Sequence, residues 1–303
     1  MEYDLIALGE TMLALAPPAG ETVRTAPALL VDHAGAESNT CVGLARLGLR
    51  VVWISRLGAD AAGDRILDAL GAEGIETRWV ERDPHRPTGL MIKQPGVGVR
   101  YYRSESAASV AGPETLRDAP IAGARGVLVT GVTALIGDRP HAAGLALLER
   151  ARGLRIVDPN LRGGLWGSER RAALVRPFVE RCDLLLAGVD EIREILGGAA
   201  TGEGADLARA AAALGPTEIV VRGAAAIGAL AGGVWRAIEI RRGDAVDPVG
   251  AGDAFNAGYI AVRLRGGSIA DALEAGVRCG AAVTASVSDT AGFPRTLDGR
   301  GTA

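Results

Sequence analysis

Two hydrophobic rhythms take turns along the chain. Short, continuous apolar runs recur at Tyr3-Asp4-Leu5-Ile6-Ala7-Leu8-Gly9-Glu10, Val51-Val52-Trp53-Ile54-Ser55, Gly126-Val127-Leu128-Val129-Thr130-Gly131, Arg155-Ile156-Val157-Asp158, Asp183-Leu184-Leu185-Leu186-Ala187 and Glu218-Ile219-Val220-Val221-Arg222. Between them, residues 61–73, 139–152, 168–180, 190–196 and 205–214 carry apolar positions at helical spacing. A strand that is apolar throughout is buried on both faces, because alternation with polar residues marks a strand with one wet face. Strands of this kind alternating with amphipathic helices predict an α/β fold with a mostly parallel sheet covered on both sides. Binding sites in such sheets lie beyond the strand C-termini. Gly9-Glu10, Asp158-Pro159-Asn160, Gly188 and Arg222-Gly223 all fall at such ends.

Two segments break the rhythm. Residues 11–33 contain prolines and no helical pattern, and residues 87–105 read as a hairpin turning near Pro95-Gly96. Two strand pairs that do not fit a parallel sheet predict a small β lid, formed by about 11–33 and 87–105, inserted in a single domain spanning 1–303. There is no internal repeat, and the end beyond about Leu297 is expected to fray.

Composition narrows the function. A net charge of −3 with both signs interspersed argues against nucleic acid as the main partner, and leaves room for a small anion held by local positive charge. Cys41, Cys182 and Cys279 have no ligand spacing, which predicts buried thiols in a reducing compartment. The apolar first strand is preceded by no basic segment, and no apolar run approaches membrane-spanning length, so the expectation is a cytoplasmic protein with no membrane contact. Lys93 is the single lysine, and no Gly-x-x-x-x-Gly-Lys-Ser/Thr sequence occurs, so nucleotide chemistry here is not of the P-loop kind. The first strand is not followed by Gly-x-Gly-x-x-Gly, which speaks against a dinucleotide-binding enzyme.

The most chemically loaded stretch is Asp247-Pro248-Val249-Gly250-Ala251-Gly252-Asp253-Ala254-Phe255. A proline and a glycine pair mark a turn, and helical periodicity starts at once after it. Gly250, Ala251 and Gly252 therefore present backbone N–H groups at a helix N-terminus, where small residues let an anion approach. Asp253 in that first turn either serves the helix dipole or takes a proton from a hydroxyl as it attacks a phosphoryl group. Four further stretches carry candidate groups. Asp32-His33-Ala34-Gly35-Ala36-Glu37-Ser38-Asn39 leads into a helix ending at Gly48; Gly35 permits close approach and Asn39 can hold hydroxyls, or the stretch is a plain helix start. Tyr101 and Arg103 share one face of a strand, able to grip a carboxylate or polyol or else to snorkel into solvent. Asn160 and Arg162 follow a strand end, in a turn that either binds phosphate or carboxylate or only satisfies local backbone. Arg222-Gly223-Ala224-Ala225-Ala226-Ile227-Gly228 links a strand to a hairpin.

The nine residues 247–255 resemble, position for position, the C-terminal signature of the PfkB (ribokinase-like) carbohydrate kinases, and 34–48 resembles their N-terminal signature, with Ala34 in place of the first glycine. Gly-Ala-Glu-x-Asn, Tyr-x-Arg at 101–103 and Asp-Pro-Asn-x-Arg at 158–162 are similar to the 2-keto-3-deoxygluconate kinase branch. The resemblance implies a ribokinase-like fold and phosphorylation of 2-dehydro-3-deoxy-D-gluconate or a close sugar acid. It implies ATP and Mg²⁺ as cofactors, a monovalent cation as an optional one, and a homodimer paired through the lid. It implies Asp253 as the base and Gly250, Ala251 and Gly252 as the anion hole. The acceptor would be held by Gly35, Ala36, Asn39, Tyr101, Arg103, Arg162 and Asp253. The nucleotide would lie against Asn160, Arg162, Gly188, Arg222, Gly223, Gly228, Gly250 and Gly252. Glu191 stands where the family orders magnesium through water, four residues into an Asn-x-x-Glu pattern whose Asn is Gly188 here. Met91 stands where some members place a second lid tyrosine. Two alternatives stay open on the sequence: a kinase of the same family acting on a neutral sugar or nucleoside such as ribose, fructose or adenosine, and a non-catalytic sugar- or nucleotide-binding protein on the same fold.

Overall fold

The computed structural model describes residues 2–94, 96–161, 167–198, 200–240, 250–283 and 289–297. In chain order the strands are β1 (Leu5–Leu8), β2 (Met12–Ala16), β3 (Leu30–Ala34), β4 (Val51–Gly58), β5 (Val80–Asp83), β6 (Leu90–Gln94), β7 (Gly98–Tyr102), β8 (Gly126–Thr130), β9 (Leu154–Asp158), β10 (Leu184–Gly188), β11 (Glu218–Arg222), β12 (Ala226–Ala231) and β13 (Val234–Glu239). The helices are α1 (Ala36–Arg46), α2 (Ala61–Ala72), α3 (Gly131–Leu135), α4 (Asp138–Arg150), α5 (Ser168–Val179), α6 (Val189–Ile195), α7 (Ala205–Ala212), α8 (Ala251–Leu264) and α9 (Ile269–Val283).

The main sheet runs β13-β12-β11-β10-β9-β8-β1-β4-β5. Its strands pair in parallel from β11 through β5, and the β11–β12 and β12–β13 pairs are antiparallel. Strand alternation sorts the apolar side chains into two cores. Leu5, Ala7, Trp53, Leu128, Leu186 and Val220 face α1, α2, α8 and α9. Their neighbours Ile6, Leu8, Ile54, Val129, Leu185 and Val221 face α4 to α7. Both faces are dry, which is why these strands carry unbroken apolar runs. This is the α/β architecture, a mostly parallel sheet covered on both faces, that the sequence pattern predicts.

The segments that broke the rhythm form a second sheet, ordered β3-β2-β6-β7. Its inner face packs Met12, Ala14, Ala34 and Met91 against Val99 and Tyr101. Met91 pairs directly with Tyr101 across β6 and β7. Pro95, at the predicted turn, lies outside the described residues. Two elements carried too little periodicity to be foreseen. β5 is a mostly polar edge strand that pairs with β4 alone, and α3 is a single short helix that follows β8 without a loop. Helix α9 spans Ile269–Val283, and 284–288 lie outside the described residues. Among the described residues no helix is long and apolar enough to cross a membrane. Cys41, Cys182 and Cys279 are free and buried.

Helices α8 and α9 meet through small residues. A Cβ built on Gly258 would lie 2.5 Å from the Ala275 carbonyl oxygen and 2.8 Å from the Cys279 sulfur. One on Gly276 would lie 2.6 Å from the Phe255 ring. Gly258→Val should therefore force the helices apart and cost about 1–3 kcal/mol, read as a lower urea midpoint at unchanged slope. An unchanged midpoint would show that the interface has slack.

Candidate active site

The parallel strands deliver their C-terminal ends to one edge of the sheet, and the candidate groups gather there in two adjoining sets. One set lines a cavity between the main sheet and the small sheet: Glu10, Met12, Gly35, Ala36, Asn39, Met91, Tyr101, Arg103, Asp253 and Asp289 among others. The structure thus brings together Gly35, Ala36, Asn39, Tyr101, Arg103 and Asp253. Arg162 lies outside the described residues, as do Asp247, Pro248 and Val249.

Gly35 sits between β3 and α1 with room for no side chain: a Cβ would lie 2.2 Å from the Glu10 carbonyl oxygen. Close approach, more than backbone freedom, requires glycine here. Four residues on, Asn39 donates from Nδ2 to Asp253 Oδ2 at 2.9 Å. Both are buried. Asp253 lies in the first turn of α8, whose cap Gly250 has φ 87°, a left-handed conformation that favours glycine. A Cβ on Gly250 would also meet the Asp289 carbonyl oxygen at 2.8 Å. The first ladder bond of α8 runs from Ala254 N–H to the Gly250 carbonyl, 2.9 Å. The amides of Ala251 and Gly252 precede it and have no carbonyl of their own helix to bond.

Arg103 is 8% exposed, so it is not a solvated strand residue. Its guanidinium lies 5.6 Å from the centre of the Tyr101 ring, on the same face as the strand alternation requires. One Nη is paired with the carboxylate of Glu10, and its Nε has no hydrogen-bond partner among the described residues. Glu10 also accepts from the Ser106 hydroxyl at 2.6 Å. Sequence reasoning placed Glu10 at a strand end but assigned it no part in the site. The missing signal was its pairing with a residue 93 positions away, just past the end of β7, which no spacing encodes.

The second set is an ion network under α8. Arg222, at the end of β11, donates to Asp158 (3.3 and 3.1 Å), to Asn256 Oδ1 (2.9 Å) and to the Leu186 carbonyl (3.2 Å). Asn256 in turn donates to Asp158 at 2.6 Å. Burial alone would lower the pKa of Arg222, but the carboxylates of Asp158 and Glu191 raise it above the usual arginine value. Arg222 thus remains a cation beside the turn that opens α8; its Nη1 lies 3.5 Å from where a Gly252 Cβ would stand. Asn160 adopts φ 40° and turns its N–H back to Asp158, 3.0 Å. Gly188 gives its N–H to Glu191, 2.7 Å, and Leu161 gives its N–H to the other oxygen, 2.8 Å. Burial first, and then Asp158, raise the pKa of Glu191. Its oxygens are engaged by these donors and by Arg222 at 3.5 Å, and among the described residues no cluster of three ligating side chains could hold a metal. Gly223 stays in the turn after β11, but Gly228 is not in that loop. It lies inside β12, paired with Val221, and a Cβ there would strike the Trp235 ring at 2.2 Å. It nonetheless lines one cavity with Gly223, Ala224, Ala225 and Trp235.

Glu37 fastens the two sets to the sheet. It is wholly buried, and one oxygen accepts from Thr130 N–H (3.0 Å), Thr130 Oγ1 (2.7 Å) and Thr133 Oγ1 (2.7 Å). Desolvation raises its pKa above the ordinary 4.5, partly offset by those hydrogen bonds. A carboxyl whose folded pKa is raised contributes stability at low pH that is lost as pH rises past its unfolded value. Glu37→Gln keeps the acceptor oxygen and removes the charge. Relative to wild type, its melting temperature should improve as pH rises above the ordinary carboxyl value of 4.5. A difference that stays flat with pH would show that Glu37 titrates normally.

Comparison with known proteins agrees with this geometry. The family model described as pfkB family carbohydrate kinase matches residues 2–296. The chain is 30% identical to a 2-dehydro-3-deoxygalactonokinase of Haloferax volcanii over 91% of its own length and 89% of that protein. It is 30% identical to a 2-dehydro-3-deoxygluconokinase of Bacillus subtilis over 97% of its length and 93% of that protein. The crystal structure of a PfkB protein from Polaromonas sp. superposes with a TM-score of 0.84 at 32% identity, covering 97% of each chain. With a glycine-capped turn at the start of α8, a buried carboxylate in that turn and a second sheet beside the adjoining cavity, the chain belongs to the pfkB family of carbohydrate kinases.

Proposed function

We propose that this carbohydrate kinase transfers the terminal phosphoryl group of ATP to the primary hydroxyl of 2-dehydro-3-deoxy-D-gluconate or a close sugar acid. The observation that carries the sugar-acid reading is Arg103. A buried guanidinium whose Nε has no partner among the described residues, on a cavity wall, is suited to an anionic acceptor, because it can share its donors between Glu10 and a second carboxylate. The names of the Haloferax and Bacillus relatives support the same substrate class. Tyr101, Gly35, Ala36 and Asn39 supply further acceptor contacts from the same cavity, and Arg162 is a candidate for another.

In this reading Asp253 accepts the proton of the primary hydroxyl as that oxygen forms its bond to the terminal phosphorus. The bond from phosphorus to the bridging oxygen of ADP breaks, and ADP carries away that electron pair. The amides of Ala251 and Gly252 hydrogen-bond the transferring oxygens, and the α8 dipole favours their charge. Arg222 adds a fixed cation next to Gly252. Asn39 holds the Asp253 carboxylate, so its attitude to the hydroxyl is preset. Gly188, Gly223 and Asn160 are candidate nucleotide neighbours at the same sheet edge. The described residues offer no direct magnesium cage, and Glu191 is already engaged. Mg²⁺ would therefore arrive as the chelate of ATP phosphates, the usual way it is bound. The small sheet serves as a lid, excluding water from the reacting phosphoryl group. Leu30, Val31, Val97 and Tyr102 are exposed on it; a homodimer that pairs through this sheet would cover them. Sedimentation equilibrium checks the pairing, and a monomer at all concentrations would rule it out.

Release of ADP with a panel of 2-dehydro-3-deoxygluconate, its galactonate epimer, ribose, fructose and adenosine tests the reading directly. Asp253→Asn should lower kcat by about 10²–10⁴-fold, the usual worth of a general base, with ATP affinity retained; normal turnover would remove Asp253 as the base. Arg103→Ala should reduce kcat/KM for the keto-deoxy acids by about tenfold or more and leave any neutral sugar little changed. Equal losses on both kinds of acceptor would discard the carboxylate contact and keep the kinase.

A further inference from the structure

The single lysine of the chain is placed where the small sheet meets the body. Lys93 lies on β6, two residues beyond Met91, so it shares the inward face. Met91, Val99 and Tyr101 on that face line the acceptor cavity, and Lys93 pairs across the strands with Val99. Its ammonium group is ion-paired and hydrogen-bonded to Oδ1 of Asp289. The side chains are 13% and 5% exposed, so the pair is largely removed from water. The contact joins positions 196 residues apart. Lys93 stands near the tip of the β6–β7 hairpin, and a second ion pair, Arg103–Glu10, also joins the small sheet's end to the body.

Asp289 has two further neighbours that matter. It forms part of the wall of the acceptor cavity, with Asp253 and Asn39. Its main chain presses on the cap of α8, since a Gly250 Cβ would meet its carbonyl oxygen at 2.8 Å and its Cα at 3.3 Å. Movement of Asp289 thus bears on the turn that presents the Ala251 and Gly252 amides.

We propose that Lys93 and Asp289 form a clasp that holds the small sheet closed over the acceptor cavity and fixes the anion-binding turn of α8 in the same act. Both are positioning residues. Lys93 acts on the acceptor by keeping Met91, Val99 and Tyr101 in place, and Asp289 acts on the phosphoryl group through Gly250. Losing one partner leaves the other charge buried without compensation, which favours the open sheet. An open sheet admits water, so the phosphoryl group would be lost to hydrolysis more often. The clasp rests on the kinase reading for its catalytic consequence but not for its existence.

The test compares wild type, Lys93→Met, Asp289→Asn and Lys93→Arg in two measurements. Amide hydrogen exchange needs no substrate. The amides of β6, β7 and the first turn of α8 should exchange about tenfold faster or more in the Met and Asn variants, and near the wild-type rate in the Arg variant. Unchanged exchange in both disrupted variants would overturn the clasp. The second measurement is steady-state kinetics with the keto-deoxy acids, counting ADP released against sugar phosphorylated. KM for the acceptor and ADP per product should both rise in the Met and Asn variants, and Lys93→Arg should recover the coupling. One ADP per product and an unaltered KM in both disrupted variants would overturn the positioning role. If wild type turns over no acceptor while exchange responds as expected, the sugar-kinase reading fails and the clasp stands.

Discussion

The site depends on one hydrogen bond between elements 214 residues apart, from Asn39 Nδ2 to Asp253 Oδ2. It is buried, and it joins α1, which follows Gly35, to α8, which follows Gly250. Removing either partner would leave a buried polar group unpaired, so the bond is costly to lose even though its net worth is modest. The bond is possible only because α1 and α8 approach closely. Gly43 faces Ala257, where a Cβ would lie 2.5 Å from the alanine methyl. The Thr40 hydroxyl reaches the Asp253 carbonyl at 3.4 Å. Small residues at the crossing let two polar residues meet above it.

Buried charge is used throughout the site, and each charge is compensated locally. Arg222 is held by Asp158, Asn256 and Glu191. Arg103 is held by Glu10, and Lys93 by Asp289. Such pairs contribute little net stability compared with apolar packing, since desolvation offsets much of their attraction. What they contribute is a fixed geometry for cations beside places where anions would sit. The apolar cores on the two faces of the main sheet carry the stability that lets the site hold these arrangements.

The dependence of the candidate site on packing also explains the fate of individual sequence expectations. Gly250, Gly252 and Asp253 were legible because a turn signal, small residues and helical periodicity coincide within nine positions. Tyr101 and Arg103 were legible as a same-face pair because strand period is fixed at two. Gly228 read as part of a loop and lies in a strand, because a glycine under the Trp235 ring and a glycine in a loop look alike in sequence. Glu191 had the position of a first-turn acid, and its partners Leu161, Gly188 and Arg222 come from three other segments that spacing does not relate.

The sequence by itself determined the α/β class, the parallel order of strand and helix, the separate strand pairs and the glycine turn that opens α8. Each of these follows from local periodicity or from residue types a few positions apart. Only the tertiary structure decided that Glu10 faces Arg103, that Asn256 completes the Arg222 network and that Lys93 closes on Asp289. Those pairings join residues 34 to 196 positions apart, and chain separation carries no information about them. They are fixed by which strand ends the sheet order brings side by side and by which charges burial leaves in need of a partner.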